Sequence, residues 1–184
     1  MNEGFTAASA ALERLKAGNR AYLNADTASG DVSPKTRSET VRDGQKPFAV
    51  VVTCSDSRVI PEYIFSVGIG ELFVVRVAGN VIDNHALGSI EYAVDHLCCK
   101  LVLVLGHTHC GAVAAASGDN HGYVKFITDE IKRAIGEETD SVKATILNVK
   151  HSVSEIETLL PKTDGLLVAG ALYHTDSGLV DFGL

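Results

Sequence analysis

Two short segments of this 184-residue chain carry side chains able to do chemistry. The first, CSDSRV (54–59), sets Asp56 and Arg58 at alternate positions after Cys54. The second, GHTHCGA (106–112), holds His107 and Cys110 three residues apart. Two thiolates and an imidazole form a donor set that zinc favours, and three protein ligands leave the fourth tetrahedral position free for water. That is the composition of a catalytic zinc site, provided the fold brings Cys54 to the HxxC pair. Taken singly, each cysteine reads equally well as a small core hydrophobe. Beside a metal, Asp56 can bind it or accept a hydrogen bond from its water, and Arg58 can hold the carboxylate ionised in a bidentate pair.

The surrounding elements predict how these segments meet. FAVVVTC (48–54) and LVLVL (101–105) are short apolar runs, as expected of strands buried on both faces of a parallel sheet. ELFVVRV (71–77) and LLVAGALYH (166–174) add two more strands, and HTDSG turns the chain into LVDF. Helical patterns fall between them. Pro61 opens a short helix over 61–66, and Asn84 caps a helix over 86–97 with Leu87, Ile90, Val94 and Leu97 on its core face. Further helices are predicted over 112–117, 123–135 and 141–160. Strands alternating with helices mean an α/β fold, a mainly parallel β-sheet flanked by helices. In such sheets, sites form at the carboxyl ends of strands where the strand order switches. Neighbouring strands at 48–54 and 101–105 would therefore converge Cys54, His107 and Cys110.

At the start of the chain, AALERLKAGNRAYL (10–23) predicts an amphipathic helix, followed by a polar connecting stretch over 26–46. Residues 1–46 thus read as an N-terminal helical arm and 47–184 as the α/β core of one domain spanning 1–184.

Bulk properties exclude several classes. With 46% hydrophobic and 21% charged residues the chain reads as globular, and a formal charge of −7 argues against a nucleic-acid or anionic-membrane partner. No apolar run nears the roughly 20 residues of a membrane span, and the N-terminus lacks a signal-peptide core, so a cytoplasmic location is expected. Cys54, Cys98, Cys99 and Cys110 are then expected as reduced thiols or metal ligands, with Cys98 and Cys99 inert and Cys98 on the core face of its helix. His85, His96, His121, His151 and His174 read as surface or capping residues. VGIG (67–70) lacks the third glycine of a dinucleotide loop and precedes a strand, which excludes a nucleotide site.

CSDSRV and GHTHCGA, together with RVAGN (76–80), ALGSIEYAV (86–94) and GALYHTDSG (170–178), resemble the β-class carbonic anhydrases over almost the whole chain. The resemblance implies Zn2+ held by Cys54, His107 and Cys110, a catalytic dyad of Asp56 and Arg58, and a substrate pocket involving Gln45, Phe73, Gly79 and Tyr92. It implies a homo-oligomer, dimer or tetramer, in which the arm crosses a partner subunit and Gln45, Phe73 and Tyr92 serve the partner's zinc. The implied reaction is reversible hydration of CO2 to bicarbonate and a proton, through zinc-bound hydroxide oriented by Asp56. A closed state, with Asp56 leaving Arg58 to become the fourth zinc ligand, is also implied. His109 could shuttle the proton. Two positions depart from the family pattern: Val77 replaces the asparagine of RNAGN, and Val51 stands where some members carry the tryptophan of a regulatory bicarbonate site, so that regulation is expected to be absent.

Other readings stay open on the same residues. Gln45 could be a linker residue, and Phe73 and Tyr92 could be core aromatics. The protein could be a CS2 or COS hydrolase of the same fold, or a non-catalytic structural zinc protein with Asp56 as permanent ligand. It could also be a thiol enzyme with Cys54 as nucleophile and His107 as base.

Overall fold

The computed structural model describes residues 3–25 and 30–184. Its first strand, β1 (Ala49–Thr53), lies inside the sheet and is buried at all five positions. A run apolar at every position must be covered on both faces, and the sheet provides this. β2 (Leu72–Arg76) and β3 (Leu101–His107) pair with β1 in parallel on either side. β4 (Leu167–Tyr173) runs parallel to β3, and the short β5 (Val180–Asp181) closes the edge antiparallel to β4, after the predicted turn. The spatial order is β2-β1-β3-β4-β5, so the strand order reverses between β1 and β3. This is the predicted α/β sheet, with its switch point between the two strands that lead into the reactive segments.

Because side chains alternate across a strand, β1 feeds two cores. Ala49 and Val51 pack with Leu101, Leu103 and Leu105 beneath α1 (Glu3–Leu23) and α3 (Pro61–Ile64). Val50 and Val52 pack with Val102 and Val104 against α4 (Asn84–His96) and α7 (Ser141–Leu159). A third cluster gathers Cys54, Cys110, Val81, Val113, Ile131 and Ala144. It joins the ends of β1 and β3 to α5 (Gly111–Ala115), α6 (Val124–Ile135) and α7.

Three expectations need correction. The polar stretch contains a helix, α2 (Pro34–Asp43): the Ser33 oxygen accepts from the Thr36 N–H, and Pro34 fits the first turn. No α2 residue is buried, so no apolar period announced it; residues 26–29 of that stretch lie outside the described residues. The N-terminal helix is present, and its apolar stripe packs into the chain's own core. Leu15 is 0% exposed in the chain's own core, and buried Asn19 donates to the carbonyls of Ile64 (3.3 Å) and Gly178 (2.9 Å) while accepting from Val180 N–H (3.0 Å). α4 is capped by Asp83 rather than Asn84, its carboxylate accepting from Ala86 N–H at 2.8 Å. The helix stops at His96, and Cys98 adopts a left-handed φ of 59°. That turns Cys98 to solvent and puts Cys99 in the core, its thiol donating to the Pro47 carbonyl and pushed up to about 11 by burial. No helix among the described residues is long and apolar enough to cross a membrane.

Candidate metal centre

Strand register builds the site. Thr53 of β1 lies opposite Leu105 of β3, so Cys54 leaves the sheet beside the end of β3, where His107 is the last residue. Cys110 then sits at the N-terminus of α5. One ligand atom from each of Cys54, His107 and Cys110 lies within 4.8 Å of the other two. The two Sγ atoms are 4.0 Å apart. A disulfide needs about 2.05 Å, whereas two thiolates about 2.3 Å from a tetrahedral zinc stand about 3.8 Å apart. All three residues are buried.

The histidine is oriented for a metal. His107 Nδ1 lies 2.9 Å from the carbonyl of Thr108, which can only accept, so Nδ1 carries the proton and Nε2 presents a lone pair. That Nε2 is shielded from solvent without a hydrogen-bond partner. A buried acceptor with no donor is costly, and a cation among the three ligands relieves it. The thiols agree. The Cys54 thiol is held well below its ordinary range, first by the Cys110 thiol donating to it and further by the backbone N–H groups of Gly79 and Asp56, against a burial that raises it. Cys110 is pushed up by the same sharing of one proton, and by burial. A divalent ion can take the place of that shared proton. The residues fit zinc.

Backbone donors and a polar layer hold Cys54 in place. The N–H groups of Gly79 and Asp56 donate to its Sγ at 3.2 and 3.4 Å. Gly79 has a left-handed φ of 67°, and a Cβ there would meet Ile131 Cδ1 at 2.6 Å, so only glycine brings its N–H this close. Asn148 donates to the Gly79 carbonyl at 2.7 Å, and Ser152 Oγ donates to that of Asn80 at 3.0 Å. Both come from the buried face of α7, and sequence reading missed them. Their one signal was a pair of polar residues four apart within an apolar helical pattern. Arg76, also missed, donates to the carbonyls of Cys54 (3.2 Å) and Asp56 (2.7 Å) and fixes the intervening loop.

Asp56 and Arg58 meet as a bidentate pair, Nε to Oδ1 at 3.0 Å and Nη2 to Oδ2 at 2.8 Å. Nη2 also donates to the His109 carbonyl at 3.0 Å, anchoring the guanidinium. The Arg58 hydrogen bonds hold the Asp56 carboxyl below the usual carboxylate range. Its Oδ2 is 3.9 Å from His107 Nε2, so the paired carboxylate borders the cluster.

Of the four residues implied for a pocket, only Gly79 is at the centre of this chain. Gln45 is exposed and precedes Lys46, whose N–H bonds to Gly70 at the opposite end of β1 from Cys54. Phe73 lies opposite Val50, three residues short of the strand end and so about 10 Å from it. Its ring is 6.2 Å from that of Tyr92, which is 48% exposed. His109 is exposed, with its φ at 57°. It lines a cleft of about 540 Å³ that also borders Cys110, Val113 and Thr139.

A family model described as carbonic anhydrase matches residues 49–180. Carbonic anhydrase 2 of Mycobacterium tuberculosis strain H37Rv is 34% identical over 186 residues, covering 92% of this chain and 89% of that protein. The solved structure of Coccomyxa β-carbonic anhydrase in complex with acetazolamide matches with a TM-score of 0.68 at 27% identity, over 82% of this chain and 78% of that one. A carbon disulfide hydrolase shares the fold alone, with a TM-score of 0.57 at 15% identity over 80% and 84% of the two chains. The family match contains both reactive segments and the strands that aim them, and the mycobacterial likeness extends it over nearly the full length: the chain belongs to the β-class carbonic anhydrases.

Proposed function

We propose that the protein hydrates CO2 reversibly to bicarbonate and a proton, with Zn2+ held by Cys54, His107 and Cys110. The observation that carries this reading is the buried, partnerless Nε2 of His107 facing two sulfurs 4.0 Å apart, beside a carboxylate already paired with an arginine. Zinc there supplies the Lewis acidity that brings the pKa of a water toward about 7.

The chain's own groups do the rest. Asp56, kept ionised by Arg58, can only accept, so it takes the hydrogen bond of the attacking O–H group and fixes where its lone pair points. Arg58 holds that carboxylate off the cluster while its own position is fixed by the His109 carbonyl. The Gly79 N–H draws charge from the Cys54 sulfur. His109, exposed beside the centre, can carry the released proton to solvent. A closed state requires Asp56 to leave its three hydrogen bonds from Arg58, one from the backbone N–H and two from the guanidinium, and join the cluster.

Gln45, Phe73 and Tyr92 stand away from this chain's centre, which supports a homo-oligomer, dimer or tetramer, in which they line the pocket of a partner's centre. The acidic composition supports a protein with no nucleic-acid or anionic-membrane partner, and a cytoplasmic location is proposed with it. Hydrolysis of CS2 or COS is the second reading, favoured only by the shared fold of one such enzyme. A purely structural zinc is disfavoured by Asp56, which sits on Arg58 rather than in the cluster. A Cys54 nucleophile would require a metal-free protein, since a ligand sulfur is not free to attack.

The test is stopped-flow CO2 hydration by zinc-quantified protein from about pH 6.5 to about pH 9, where metal-activated water titrates. Activity rising with pH at one zinc per chain is expected. A full zinc complement with no hydration at any pH would sink the proposal and leave the CS2-type or structural readings.

A further inference from the structure

Among the described residues, two buried side-chain polar atoms lack a hydrogen-bond partner: Nε2 of His107 and Nε2 of His151. The first faces Cys54 and Cys110. The second belongs to another group of three ligands within 4.8 Å of one another, formed by Glu130 of α6 with His151 and Glu155 of α7. The sequence reads His151 as a surface or capping residue; its side chain is instead mostly buried, 29% exposed, in the middle of α7.

We propose that Glu130, His151 and Glu155 form a second divalent-metal site, for zinc or a similar first-row ion such as cobalt(II), that clips α6 to α7. His151 and Glu155 are one turn apart and share a face of α7, while Glu130 reaches them from α6. His151 Nε2 is 3.6 Å from Glu155 Oε1. That is too long for a hydrogen bond and close to the about 3.4 Å between two ligands placed about 2.1 Å from one tetrahedral ion.

Charge points the same way. With His151 neutral, as a metal ligand must be, the two carboxylates are balanced by one guanidinium, that of Arg133, which donates to Glu130 Oε2 at 2.5 Å. Burial pushes the Glu155 carboxyl up and the charge of Glu130 adds to it, although His151 opposes both. An ion of charge +2 offsets this surplus. The side chains of Glu130, His151 and Glu155 are 33%, 29% and 24% exposed, open enough to admit an ion and for water to complete its shell. One imidazole and two carboxylates are harder donors than two thiolates and an imidazole, so this site takes zinc more weakly than the first.

The clip would join the two helices that stand behind Cys54 without touching a ligand of the first centre. α6 supplies Ile131, packed against Gly79, and α7 supplies Asn148, which holds the Gly79 carbonyl. The site itself does not depend on what the first centre catalyses.

The experiment is calorimetric titration of protein whose first centre already holds one counted zinc per chain, with Zn2+ and then separately with Co2+. One further equivalent per chain is expected in the wild type, lost in His151→Ala and weakened about tenfold or more in Glu155→Gln. Glu155→Gln preserves side-chain volume, so it reads ligand loss rather than a folding defect. The zinc counted before titration should remain at one per chain in both variants, which separates this site from the first. Added Zn2+ should also raise the melting temperature of the wild type more than that of either variant. No further equivalent in the wild type, or one that persists unchanged in both variants, overturns the proposal. Two bound equivalents without CO2 hydration would sink the proposed reaction and leave this site standing.

Discussion

His107 and His151 share a buried Nε2 with no partner, yet the chain frames them in opposite ways. His107 ends a strand, is fully buried, and has its other ring nitrogen fixed by the next residue's carbonyl. Its neighbours are short cysteine side chains, one of them gripped by two backbone N–H groups. His151 lies mid-helix with part of its ring in solvent, and its neighbours are glutamates, whose ordering costs up to about 2 kcal/mol each in rotamer freedom. The strand-end site is fixed by backbone register and needs little adjustment to hold an ion. The helix-face site must order its own ligands, and selects its ion less tightly.

The contrast can be broken most sharply at the histidines. His107→Ala should lose the first-centre zinc and lower hydration about a thousandfold or more, since no water is then activated. His151→Ala should leave both within about twofold, as it touches only the helix pair. Metal analysis with stopped-flow kinetics reads both, and a zinc-free His151→Ala would collapse the distinction. Next in size, Asp56→Asn should keep its zinc but lower kcat by about a hundredfold, because the amide can donate as well as accept and no longer orients the nucleophile uniquely.

The frame of the first centre can be tested without metal. Gly79→Ala forces a side chain into left-handed backbone and against Ile131, and should cost about 2–3 kcal/mol in urea unfolding. Asn148→Ala strands the buried Gly79 carbonyl and should cost about 1–3 kcal/mol. Losses under about 0.5 kcal/mol in both would mean that the wall behind Cys54 is looser than its contacts indicate.

The smallest effect separates the two carboxylates by sign. Asp56 has its pKa lowered in the fold, first by Arg58, so its contribution to stability is full above the ordinary aspartate value of about 3.9 and fades as pH falls through the lowered value. Glu155 has its pKa raised, first by burial, so its contribution is full below the ordinary glutamate value of about 4.3 and is lost as pH rises through the raised value. In metal-free protein at neutral pH, Asp56→Asn should therefore lower the urea midpoint and Glu155→Gln raise it slightly. A shift of the same sign in both variants would refute the assignment.

What the sequence disclosed follows from the same contrast. The strands and the convergence of Cys54, His107 and Cys110 were legible because unbroken apolar runs demand burial on both faces, and because chemistry-bearing residues at strand ends can converge in few ways. α2 was not legible, since it is polar all round and only Ser33-Pro34 marks its start. Asn148 and Ser152 were hidden inside the apolar period of α7, where their value depends on a turn at Ala78–Asn80 far away in sequence. The end of α4 was misread because Cys98 and Cys99 extend its composition, and only the positive φ of Cys98 shows that the helix has already stopped. The Glu130, His151 and Glu155 group needed the packing of one helix on another, which a one-dimensional pattern does not contain.

The strand order also has a consequence in time. Cys54 and Cys110 are 56 positions apart and meet only after the chain has run out through β2, back along α4, and inserted β3 on the other side of β1. Closing so long a loop is slow, and contacts of this kind complete late. An ion that needs both sulfurs cannot guide the early chain and acts only on the finished sheet. Zinc should then leave the refolding rate unchanged and slow unfolding, moving one arm of the chevron and not the other. The metal would serve as a lock on a completed fold, with no part in its nucleation.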